Sequence, residues 1–164
     1  MIHMSTIALP ASLAIRNLLE DLLGRDVTIG NATPPAVADL RRTVCAVYVD
    51  GSSKLVAVLG LELSLAAYAG AALGLMPAGG AQDCVEEGVL SPTLAENVTE
   101  LCNVLTSLLN REGSPHVKLY KLYLPSEPLP GDAQAQLLAL GNRTDLSVEV
   151  ARYGKGRLSL SLAF

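Results

Sequence analysis

The run "RRTVCAVYVDGSSKLVAVLGLEL", Arg41 to Leu63, decides the architecture. Two stretches rich in Val, Leu and Tyr flank "DGSS", and Asp50-Gly51 is a pair that tolerates the backbone angles of a tight reversal. Branched and aromatic residues suit a pleated, half-buried surface. The reading is an antiparallel hairpin. Leu55 to Leu61 is apolar almost without interruption, which suggests a strand covered on both faces or lying at a dimer seam.

A second hairpin closes the chain. Leu146, Val148 and Val150 alternate with Ser147 and Glu149, and Leu158, Leu160, Leu162 and Phe164 alternate with Ser159, Ser161 and Ala163. "YGKG" turns between them, so one face is expected to be buried. "HVKLYKLYL" is a further strand and "DVTIG" a short one. Upstream, "PASLAIRNLLEDLLGR" is a helix with an apolar stripe of Ile15, Leu18, Leu19, Leu22 and Leu23, punctuated by Pro10 and Gly24. Ser64 to Met76 is a second helix, whose Gly70 and Gly74 let another backbone approach closely. A membrane span needs about 20 predominantly apolar residues, and Pro77, Gly79 and Gly80 break this run early. "PAGGAQDCVEEG" is expected to be a loop, "PSEPLPGD" a surface loop, and Ala133 to Leu140 either a short helix or a strand lead-in. The element order predicts an α+β fold: one domain, 1–164, with an antiparallel β-sheet and helices packed on one face.

The 164 residues can bury a real core; half are apolar and 17% charged. A net charge of −4 gives no electrostatic reason to expect nucleic acid or an anionic membrane surface as partner. Cys45, Cys84 and Cys102 are odd in number and lack C-x-x-C spacing, so they are expected to be reduced thiols of a cytoplasmic protein. "MIHMSTIALP" has neither the basic region nor the apolar run of a signal peptide. His3 and His116 stand far apart in sequence, against a His-based metal site or triad. No residue pattern supplies a nucleophile of its own.

The remaining stretch, "LSPTLAENVTELCNVLTSLLNREG" from Leu90 to Gly113, is read as one long amphipathic helix, with Ser91 or Thr93 to cap it and Pro92 at its start. Leu94, Val98, Leu101, Leu105 and Leu108 form its apolar stripe, widened by Cys102 and Leu109. At ~100° per residue, Glu100 lies about 200° from Val98. Glu96, Glu100, Asn103, Ser107 and Asn110 therefore line up on the outer side. A solvated helix usually carries i,i+4 ion pairs, yet this face has no Lys or Arg before Arg111. Asn103 is a weak helix former set mid-helix, at a cost of several tenths of a kcal/mol. The row invites a functional explanation.

Glu100-x-x-Asn103 on an exposed helix of a domain this size resembles the CheC/CheX/FliY family of chemotaxis phosphatases, CheX most closely. The order of the opening helix, "RDVTIG", the hairpin and Ala/Gly helix, and the closing strands follows CheX across most of the chain. The resemblance implies dephosphorylation of a phosphorylated CheY-like receiver domain of a response regulator. Asn103 would orient the water that attacks the aspartyl phosphate, Glu100 would pair with the receiver's active-site Lys, and Glu96, Ser107 and Asn110 would contact the partner. It implies no cofactor of the chain's own, since Mg2+ belongs to the receiver. Two readings stay open beside this one: a non-catalytic receiver-binding module, and an interaction module of the flagellar-switch kind. Ser107, where the family often has Gly, and Glu96, where it places Asp or Ser, motivate the first of these.

The resemblance further implies a homodimer paired through sheet edges, and a mean hydropathy of +0.37 with few charges agrees. Sedimentation at micromolar concentration is expected to show a dimer; a monomer alone would overturn this.

Overall fold

A computed structural model describes residues 7–110 and 116–163; His3, Arg111, Gly113 and Phe164 lie outside the described residues. The chain order is α1 (Ser12–Leu23), β1 (Val27–Asn31), a 3-10 turn (Val37–Arg42), β2 (Thr43–Val49), β3 (Leu55–Glu62), α2 (Leu63–Leu73), α3 (Ala78–Glu87), α4 (Pro92–Leu105), a second 3-10 turn (Thr106–Leu108), β4 (Lys118–Tyr123), α5 (Gly131–Leu138), β5 (Arg143–Val150) and β6 (Gly154–Leu162). The strands form one six-stranded sheet in the order β1-β5-β6-β3-β2-β4. Every neighbouring pair is antiparallel. This is the expected α+β fold with an antiparallel sheet, except that helices cover both faces: α1, α2 and α4 one, α5 the other.

Both hairpins form where the sequence places them. Asp50 fixes the first turn by accepting the N–H groups of Ser52 and Lys54 at 2.8 and 3.0 Å, and these bonds hold its carboxyl below the usual range. The second turn falls on 151–153, with Arg152 in the left-handed region, and Gly154 already belongs to β6. Strand alternation then sorts the side chains. Val44, Ala46 and Tyr48 of β2, Ala57, Leu59 and Leu61 of β3, and Leu158, Leu160 and Leu162 of β6 join the main core. Helices α1, α2 and α4 cover it through Ile15, Leu19 and Leu23, through Leu65, Ala66 and Ala69, and through Leu94, Val98 and Leu101.

The other face of the central strands is also apolar. Cys45, Val47, Val49 and Val58 meet Ala133 and Leu137 of α5, which accounts for the uninterrupted apolarity of β3. Ala133 to Leu140 thus resolves as a helix, ending at Leu138.

Two expectations need correction. "PAGGAQDCVEEG" contains helix α3 and is not a loop. Its glycines argue against a helix locally, but Ala81 and Cys84 are buried, and Gln82 accepts the Tyr68 hydroxyl at 2.6 Å. Tertiary packing overrides propensity there. The long helix is also shorter than expected, ending at Leu105 instead of running to Gly113. The Cys102 carbonyl is taken by Tyr48 Oη at 2.7 Å and Thr106 Oγ1 at 3.4 Å. The Thr106 N–H turns instead to the Asn103 carbonyl three residues back, and the winding tightens into the 3-10 turn.

The chain also repeats a plan. Helix, strand and hairpin occur in that order as α1-β1-β2-β3 and again as α4-β4-β5-β6. In the sheet the single strands are exchanged: β1 pairs with β5 of the second set, and β4 with β2 of the first.

Gly70 sits where α2 crosses α4. A Cβ there would lie 3.0 Å from Val98 Cγ2 and 3.2 Å from the Leu94 carbonyl oxygen. Thermal unfolding of Gly70→Ala is expected to show a loss of about 1–3 kcal/mol from overpacking, and that of Leu101→Ala about 2–5 kcal/mol from the cavity left. Asn110→Ala is expected to cost about 1–3 kcal/mol, because its amide both donates to the Val117 carbonyl at 2.9 Å and accepts the Val117 N–H at 2.7 Å. A stability matching wild type in any of the three would contradict the contact named.

Candidate functional site

Helix α4 begins as the sequence dictates. Ser91 Oγ accepts the Leu94 N–H at 3.2 Å, and Pro92 occupies the first helical position, where no N–H is needed. Leu94, Val98, Leu101, Cys102 and Leu105 are buried. The same rotation turns Glu96, Glu100 and Asn103 to the surface. The outer row then divides. Ser107 is exposed but lies on the 3-10 turn, and half-buried Asn110 is committed to the Val117 backbone. Glu96, Glu100 and Asn103 remain together on the helix proper. Among the described residues, the side chains of Glu100 and Asn103 have no hydrogen-bond or ion-pair partner. Their spacing of three makes them neighbours on one face.

Beside them runs β4, one edge of the sheet. Thr99, Glu100 and Asn103 form one wall of an open groove, and Leu119, Tyr120, Lys121 and Leu122 form the other. Strict alternation would send Leu119 and Leu122 to opposite faces, yet both pack against the main core. A register shift reconciles them: Val47 pairs with Lys121 and Tyr48 with Leu119, which leaves Tyr120 as the extra residue of a bulge. Tyr120 is 62% exposed. Lys121 lies 4.8 Å from the Tyr123 ring centroid and 3.7 Å from Glu127 Oε2. Reasoning from sequence missed this second wall. The available signal was the i,i+3 spacing of two leucines inside a β-rich run, which announces a bulge.

Helices α3 and α4 are acidic. From residue 55 to residue 110 there is no Lys or Arg, while Asp83, Glu86, Glu87, Glu96 and Glu100 all fall in α3 and α4. Asn103 lies in the last turn of α4, whose carbonyl end carries partial negative charge. Burial pushes the Cys45 and Cys102 thiols up to about 12, so neither offers a thiolate at neutral pH. Among the described residues no group of three or more His, Cys, Asp or Glu could hold a metal ion, and no helix is long and apolar enough to cross a membrane. The site can offer a carboxamide that donates and accepts, a carboxylate beside it, and an aromatic ring across the groove.

No family model and no curated protein sequence matches the chain. Solved structures do. A chain of the FliM-SpeE complex from H. pylori overlays with a TM-score of 0.61 at 9% identity, over 90% of this chain and 79% of that one. The FliM middle domain from Vibrio alginolyticus gives 0.55 at 13% identity, over 91% and 86%. A chain of the CheX-CheY-BeF3-Mg+2 complex from Borrelia burgdorferi gives 0.52 at 8% identity, over 89% and 90%. Identities this low establish the fold alone: the chain has the α+β fold found in these FliM and CheX complexes.

Proposed function

We propose that the chain docks α4 onto the phosphorylated receiver domain of a CheY-like response regulator and speeds hydrolysis of its aspartyl phosphate. The observation that carries this reading is the pair Glu100 and Asn103, exposed, adjacent and uncommitted on a rigid helix of this fold. Water attacks phosphorus, the bond between phosphorus and the aspartate oxygen breaks, and inorganic phosphate leaves with the aspartate restored. The Asn103 carboxamide holds that water by donating to it and accepting from it, which supplies orientation and no covalent intermediate. Glu100 meets the receiver's active-site lysine. The magnesium ion of the receiver supplies charge compensation. Exposed Glu96 and Glu100 on α4 suit this division of labour, because carboxylates on that face give free phosphate no reason to gather there. The same reading places the chain in the cytoplasm, as a homodimer.

A non-catalytic receiver-binding or flagellar-switch-like module on the same fold is the second reading. Exposed Ser107 and Glu96, at either end of the row, favour it, because they alter the flanks that control how deeply the helix inserts.

Phosphate release from a receiver domain loaded with acetyl phosphate tests the proposal. Wild-type chain is expected to accelerate it, and Asn103→Ala to lower the acceleration by about 100-fold or more. The melting temperature should stay put or rise slightly, since Ala is the better helix former. Equal activity of wild type and Asn103→Ala would end the catalytic assignment. Binding without any acceleration would establish the second reading.

A further inference from the structure

We propose that Tyr120 is the apolar anchor that seats the partner in the groove, and so sets how tightly a receiver domain is held against Glu100 and Asn103. The inference rests on the reading of this groove as a receiver-docking surface. Three separate observations meet at this residue. The bulge in β4 falls on Tyr120, leaves it without a partner in the ladder, and so lets Leu119 and Leu122 on either side both turn to the core. Bulges at sheet edges serve to re-aim a side chain or to end pairing. The ring is 62% exposed on an edge strand, where a bare aromatic invites unwanted strand pairing unless something covers it in use. It also stands on the wall facing Glu100 and Asn103.

Energetic reasoning points the same way. Glu96, Glu100, Asn103 and Thr99 bring charge and hydrogen-bonding capacity to the surface but little apolar area. Polar contacts of this kind fix register and contribute little net affinity, because each exchanges water for a partner. Binding energy at protein interfaces concentrates in a few aromatic or Arg residues ringed by polar ones. Leu119 and Leu122 are turned inward, so Tyr120 is the aromatic that this groove presents. The partner it fits is a receiver surface with an apolar pocket beside its basic phosphorylation site.

The experiment uses the full chain and a CheY-type receiver domain loaded with acetyl phosphate, and follows phosphate release against receiver concentration. Binding of a fluorescently labelled receiver is titrated in parallel. Tyr120→Ala is expected to raise KM and Kd about tenfold, with kcat within twofold and an unchanged melting temperature. Tyr120→Phe should restore both constants, since the ring and not the hydroxyl is the anchor. Leu140→Ala, at a residue 85% exposed just beyond α5 and outside the groove, should change neither. Unaltered KM and Kd in Tyr120→Ala would overturn the anchor, as would a fall in kcat alone. Asn103→Ala separates the two claims: if it keeps full activity, the catalytic reading fails, while the Tyr120 titration still decides the anchor. If wild type neither binds nor accelerates, both fall together.

Discussion

The close crossing of α2 and α4 at Gly70 governs the site. With no Cβ between them, Val98 and the Leu94 carbonyl settle against the α2 backbone, and α4 has one rotational position that fits. The Asn97 amide pegs that position by donating to the Gly70 carbonyl at 3.0 Å. On the far side, the buried Tyr48 hydroxyl ties the sheet to the Cys102 carbonyl. Held from both flanks, the helix keeps Glu100 and Asn103 outward whatever those two residues are. The scaffold positions the row; the row need only supply chemistry. This is how a weak helix former such as Asn103 is tolerated in the last turn of α4.

The chemistry it supplies is narrow. A carboxamide and a carboxylate can orient and hydrogen-bond; under the proposed function the nucleophile and the cations come from the receiver. Under that proposal, a basic side chain beside Asn103 would compete for the phosphoryl oxygens. Lys121, the cation nearest at hand on the opposite wall, is drawn aside by Glu127 and the Tyr123 ring.

Local signals made most of the fold legible. The Asp50-Gly51 turn, the alternation from Leu146 to Leu162 and the stripe from Leu94 to Leu105 each encode an element through its own period. The failures were cases where distant residues decide. Helix α3 exists because Ala81 and Cys84 find a buried seat, and α4 stops early because Tyr48, far away in sequence, occupies the Cys102 carbonyl. At the site, spacing alone brought Glu96, Glu100 and Asn103 onto one face. It could not reveal that the turn after Leu105 separates Ser107 from them, or that Asn110 is spent on Val117. The Leu119 and Leu122 spacing hinted at the bulge, but that Tyr120 forms a wall beside α4 depends on β4 lying at the sheet edge.

The exchange of single strands between the two repeated sets has a consequence for how the chain reaches its fold. β1 is completed only by β5, and β4 only by β2, so each half leaves an open hairpin edge until the other has been made. Neither half can bury its sheet alone, and the ladders that join them link residues near opposite ends of the chain. Loop-closure entropy must be met before those pairings give anything back, which places the chain among slow folders of high contact order. A ribosome would have to finish β6 before β3 had its central neighbour. Until then α4 would lack part of the sheet it rests on, so the exposed face bearing Glu100 and Asn103 is among the last features to become permanent.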